Sequence, residues 1–195
     1  MTIKEVNGED LQIKTEKTVF KIEGVTPLIV NQFSEKSKIQ MLEKQMKKAT
    51  RGKAAKNPEE QYLNSIYFFE DGKRTGFPAV GFKKAMTRAG VQLDKKMTNT
   101  RGEFHVMADE GDLIEIKGTH RMRQDMVRLV GGVADIRFRA EYPKWTAEVT
   151  ILYNSTVTSM DQVANLLNQA GFSCGIGEWR PEKSNSGSFG MFKVV

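Results

Sequence analysis

Residues 160–195 leave this chain few ways to fold. They read as an amphipathic helix, then a glycine-rich basic loop, then a short apolar strand. Met160, Val163, Ala164 and Leu167 follow the i, i+3, i+4, i+7 spacing of one helical face. Ser159 with Gln162 three residues on is a capping-box pattern, and Gly171 sits where a left-handed helix stop is expected. Beyond it, Gly171, Gly175, Gly177, Gly187 and Gly190 are interleaved with Arg180 and Lys183. Glycine lets a backbone come close to something bulky, and the cations imply that the bulky group is anionic. A helix followed by such a loop and a returning strand needs a sheet to return to.

The rest of the chain supplies one. Residues 18–30 are rich in β-branched side chains and predict a strand, kinked at Gly24 to Pro27. Residues 34–48 allow a mostly polar helix with Ile39, Leu42 and Met46 as its narrow apolar stripe. Asp71-Gly72 predicts a hairpin turn, and Pro78 opens a helix over 78–90 whose buried face is Phe82, Ala85, Met86 and Ala89. Residues 93–110 are polar and take no clear assignment, while 113–117 predict a strand. The clearest alternation lies in 134–142, where Ile136, Phe138, Ala140 and Tyr142 alternate with Asp135, Arg137, Arg139 and Glu141. After a turn at Pro143-Lys144, residues 145–153 alternate again. These two segments predict an antiparallel hairpin at the centre of a four-stranded sheet, with Arg137 and Arg139 on its polar side.

In order, the elements give an α+β chain of ferredoxin-like, RRM-like βαββαβ order. It has a four-stranded antiparallel sheet, two insertions (about 32–75 and 92–130) and a C-terminal glycine-rich loop. A length of 195 residues fits a single domain, 1–195. The 30 Lys and Arg against 24 Asp and Glu give +6, a modest basic excess that fits nucleic acid. Its distribution is sharper than its sum. Residues 44–56 hold six basic residues and no acidic one, among them Lys47, Lys48, Arg51 and Lys53, and read as a mobile arm. A second concentration comprises Arg121, Arg123, Arg128, Arg137 and Arg139, which with Arg180 and Lys183 could line one groove of phosphate-binding forks. Trp179 beside Arg180 could stack on a base or pin the loop to the helices. Cys174 is the one cysteine, and no apolar run approaches the roughly 20 residues of a membrane span. A cytoplasmic protein without membrane or cofactor is the expectation.

The frame helix-Ala-Gly-Phe-Ser-Cys-Gly-Ile-Gly-Glu-Trp-Arg-Pro, followed by Gly-Ser-Phe-Gly-Met-Phe, resembles the RAMP (repeat-associated mysterious protein) superfamily. That superfamily includes the backbone and processing subunits of CRISPR effector complexes. Val25-Thr-Pro-Leu-Ile-Val30 is similar to its first strand, and Gly76-Phe-Pro-Ala-Val-Gly-Phe to its first-helix entry. The wording around Gly175-Ile-Gly177 also resembles small bacteriophage-encoded proteins. The resemblance implies binding of single-stranded nucleic acid, RNA or DNA, by copies stacked in a row, with other effector or host proteins as further partners.

Catalysis has less behind it. Cutting relatives use histidine for acid-base work, and His105 and His120 are the only two here. A metal-independent endoribonuclease using either is the alternative, and a phage structural or host-defence-interaction protein is another. One cysteine allows no zinc spacing. Asp109, Glu110 and Asp112 read as an acidic turn, and no third glycine opens a helix after Gly177, so no metal or dinucleotide is expected.

Overall fold

A computed structural model describes residues 13–33, 35–46, 56–128, 131–183 and 187–195. These residues form a mixed α+β structure with antiparallel sheets and, among them, five α-helices. The strands are β1 (Thr15–Gly24), β2 (Leu28–Val30), β3 (Tyr67–Phe68), β4 (Thr75–Pro78), β5 (Phe104–Met107), β6 (Leu113–Glu115), β7 (Arg121–Arg128), β8 (Ala134–Tyr142), β9 (Thr146–Asn154) and β10 (Phe192–Val194). The helices are α1 (Glu35–Gln45), α2 (Pro58–Leu63), α3 (Ala79–Ala89), α4 (Met97–Glu103) and α5 (Met160–Ser173).

Three sheets result: one of four strands in the order β10-β1-β9-β5, and two of three strands, β2-β8-β7 and β3-β4-β6. In the first, Phe20, Ile22, Phe104, Val149, Ile151 and Phe192 alternate onto one buried face. With Phe82, Met86, Val163 and Leu167 of α3 and α5 they belong to one core. The opposite face carries Lys17, Lys21 and Lys193 into solvent.

The expected central hairpin of 134–153 does not form. β8 and β9 are consecutive and both extended, but they belong to different sheets: β8 pairs with β7 and β2, β9 with β1 and β5. The second strand of the four-stranded sheet is β5, within the stretch that took no assignment. The expected strand 18–30 likewise divides into β1 and β2, one in each sheet. The reason sits at the crossing points. Trp145 is 2% exposed; its indole N–H donates to the Thr26 carbonyl at 3.0 Å, and Gly24 N–H donates to the Trp145 carbonyl at 2.9 Å. The two crossovers, 25–27 and 143–145, are thereby stapled side by side, and the chain changes sheet where a hairpin turn was expected.

The α5 N-terminus matches its pattern. Ser159 accepts from Gln162 N–H at 3.3 Å, and the Gln162 side chain accepts from Ser159 N–H at 3.0 Å. Gly171 is not the stop. It lies inside the helix, where a Cβ would collide with the Phe192 carbonyl of β10. The chain turns left-handed at Gly175, φ 63°. No helix among the described residues is long and apolar enough to cross a membrane.

Candidate nucleic-acid interface

The alternation of β7 and β8 assigns every side chain of their sheet to a face. Arg121 lies opposite Glu141, Arg123 opposite Arg139 and Asp125 opposite Arg137, so these six share one face, with Asp135 beyond them. On the β2 side, Ile29 is the partner of Glu141 and belongs to the same face. The glycine-rich loop lies over it. Glu178 N–H donates to the Ile29 carbonyl at 2.8 Å, Gly190 N–H to the Pro27 carbonyl at 2.8 Å, and the Arg123 guanidinium stands 4.7 Å from the centre of the Phe189 ring. The structure thus brings the arginine segment and the loop together.

The loop buries much of this polar face. The side chains of Asp125, Arg139 and Glu141 are 8%, 8% and 5% exposed. Charges so deep need partners. Glu141 accepts from Arg121 Nε and Arg123 Nη1, both at 2.7 Å, and Asp125 accepts from Arg123 Nε at 2.8 Å. Burial works to raise the Glu141 pKa, but the bonds from Arg121 and Arg123 hold its carboxyl below the usual range. Arg139 is served least. Its Nη1 comes within 3.9 Å of Asp125, its Nε and Nη1 have no hydrogen bond, and burial pushes its guanidinium pKa down.

Toward the open end, Arg137 donates Nε to Asp135 at 3.0 Å, and Lys56 reaches the same carboxylate and the Ile136 carbonyl. The hydrogen bond from Lys56, then that from Arg137, holds the Asp135 carboxyl below its ordinary pKa. The result is a ladder in which each carboxylate is shared by two cations. Arg121 and Arg137 are its outer rungs, with side chains 68% and 42% exposed. Each donates Nε to a carboxylate, and their Nη nitrogens make no hydrogen bond among the described residues. Arg128 is exposed, on the opposite face of β7.

The loop cations bond within the loop. Arg180 donates Nη1 to the Gly177 carbonyl at 2.8 Å and Nε to Glu182 at 3.2 Å; Lys183 pairs with Glu178 at 2.8 Å. Several of the glycines serve the loop's own packing. A Cβ on Gly190 (φ 67°) would strike the Ile176 carbonyl; Gly177 packs in the same way on Ile29, and Gly187 is buried. Trp179 is half-buried with φ 57°, a backbone conformation bulky residues rarely hold. Sequence reading alone had no signal for that strain. Lys47, Lys48, Arg51 and Lys53 lie outside the described residues.

The histidines sit elsewhere. His120 is half-buried; its Nδ1 lies 2.6 Å from Tyr62 Oη, its ring packs 5.3 Å from Tyr142, and burial lowers its pKa. His105, exposed on β5, has Nδ1 3.0 Å from Lys83 Nζ. Among the described residues, no three of His, Cys, Asp and Glu gather to hold a metal ion.

No protein-family model matches this chain, and no curated protein matches it. Among solved structures, the crystal structure of Cmr6 from Pyrococcus furiosus is similar over 94% of this chain and 100% of its own, at 9% identity and a TM-score of 0.43. So loose a likeness transfers neither a residue nor a role.

Proposed function

We propose that this chain binds single-stranded nucleic acid, RNA or DNA, without cutting it, and that copies line up along the strand in the manner of the RAMP superfamily it resembles. Its core supports the resemblance. β1, α3, β5, β9, α5 and β10 follow one another as βαββαβ, in the sheet order β10-β1-β9-β5. That is a ferredoxin-like arrangement built on β5 instead of β8.

One observation carries the binding reading: Arg121 and Arg137 are each fixed at Nε by a carboxylate, their side chains are exposed, and their Nη nitrogens make no hydrogen bond among the described residues. An arginine oriented in this way already has its planar fork set for a phosphate. Trp179, half-exposed and held in a strained backbone, supplies an aromatic surface for a base. Lys47, Lys48, Arg51 and Lys53 add charge along the strand.

The test is an anisotropy titration of a labelled single-stranded oligonucleotide across a salt series. Log affinity should fall against log salt by roughly 0.7 per phosphate neutralised. Arg121→Ala and Arg137→Ala should each flatten the slope by about 0.7 and weaken all sequences alike. Parental affinity in both variants at every salt concentration sinks the assignment.

A second reading, a metal-independent ribonuclease, has the Lys83–His105 contact in its favour, since burial lowers the lysine pKa beside an exposed imidazole. Cleavage of RNA that His105→Ala abolishes and His120→Ala does not would establish it.

A further inference from the structure

Two apolar surfaces of this chain lie bare, and we infer that they are the halves of one interface: α1 of one copy docks on the outer β7–β8 face of the next. The inference deepens the array of the proposed function and rests on that reading for its purpose, although the contact itself requires no nucleic acid.

The first half is on the hairpin. Met122, Met126, Ile136 and Phe138 fall on the face opposite the ion ladder. α2 ends over the inner part of that face, where Ser65 Oγ accepts from Ala140 N–H at 2.8 Å. Beyond it, Met126 is 63% exposed, Ile136 43% and Met122 41%. The second half is on α1. Ile39, Leu42 and Met46 have the i, i+3, i+7 spacing of one stripe, and the Met46 N–H continues the helix by donating to the Leu42 carbonyl at 2.8 Å. All three are more than half exposed, so neither surface covers the other within one chain. A helix stripe without a partner and a strand face without a partner are each what the other lacks.

Size and charge agree. Ile39 to Met46 spans about 10 Å at 1.5 Å per helical residue. Met122 to Met126 spans about 14 Å at 3.4 Å per strand residue. Glu43, four residues after Ile39, flanks the stripe, and Arg128 shares the bare hairpin face. Arg121, Arg123, Arg137 and Arg139 each have a carboxylate within 4 Å, whereas Arg128 has no hydrogen bond or ion pair among the described residues. A Glu43–Arg128 pair across the contact sets its direction. Because the two patches differ, the contact is head-to-tail, the kind that a row of copies requires.

Pairing of introduced cysteines tests this, since the native Cys174 is buried. Leu42→Cys and Met126→Cys proteins are mixed without nucleic acid under mild oxidation. The expected product is a mixed disulfide dimer in excess of either homodimer. Glu43→Arg in the first protein should reduce it several-fold, and Arg128→Glu in the second should restore it. Absence of the mixed dimer from two folded proteins overturns the interface, as does a doubly substituted chain that closes only on itself. A mixed dimer from protein that binds no oligonucleotide leaves the interface standing and the nucleic-acid reading fallen. One-to-one oligonucleotide binding without cross-linking has the reverse meaning.

Discussion

The four-stranded sheet and the β2-β8-β7 sheet are built from the same alternation and use it in opposite ways. The first buries Val149, Ile151 and Phe20 beneath helices and turns lysines outward. The second buries Asp125, Arg139 and Glu141 beneath a loop and leaves Met126 and Ile136 in solvent. Alternation says which side chains share a face. Which face is covered is decided by what the rest of the chain lays over it, and here a polar, glycine-rich loop covers the polar face.

The contrast can be broken in order of expected effect. Asp125→Ala should destabilise most, by about 3–5 kcal/mol, because it strips the nearest counter-charge from the buried Arg139. A denaturant midpoint close to the parent's would show that the ionic face is not tightly closed. Ile151→Ala, in the hydrocarbon core, should cost about 2–5 kcal/mol, while Ile136→Ala on the bare face of the other sheet should cost less than about 1 kcal/mol. Equal costs in the two would erase the distinction between the sheets. Trp179→Ala should lower oligonucleotide affinity by roughly 1–3 kcal/mol with an unchanged salt slope. Loss of the cooperative unfolding transition in that variant would make the tryptophan a loop anchor.

Acid should act more gently, and on the β2-β8-β7 side alone, where Glu141 lies and His120 packs on Tyr142. Glu141 has a depressed pKa in the fold, so its stabilisation is whole above its unfolded value of roughly 4.3 and is lost as pH falls through the folded one. His120 is also depressed, so the unfolded chain takes up its proton first, and stability begins to fall below roughly pH 6.5. Chemical denaturation from pH 7 to pH 3 should show two successive losses. Replacing His120 with Phe should remove the earlier one, and an unchanged profile in that variant would exclude His120 as its source.

Much of the local structure was legible because its causes are local. The Ser159–Gln162 cap and the apolar stripe of α5 lie within one helix, as do Phe82, Ala85 and Met86 of α3. Strand pairing was not legible, because the contacts that direct it join residues more than a hundred positions apart, such as Trp145 with Gly24 and Thr26. β5 was missed because an edge strand following a polar helix shows little apolar pattern of its own. Of the interface, the arginines on one side of β8 could be read from their spacing. That Arg139 would be buried and Arg137 open depends on where the loop ends, and no periodicity within β8 encodes that.

The chain's two tryptophans divide its fluorescence between two reports. Trp145 is shielded at the crossing of two sheets and should emit blue-shifted light until the chain unfolds. Trp179 is half-exposed in the loop and should be the one that iodide reaches. Emission wavelength then follows integrity, and quencher access follows occupancy of the loop. A single unlabelled sample can therefore distinguish a ligand that occupies the loop from one that stabilises the fold by binding elsewhere.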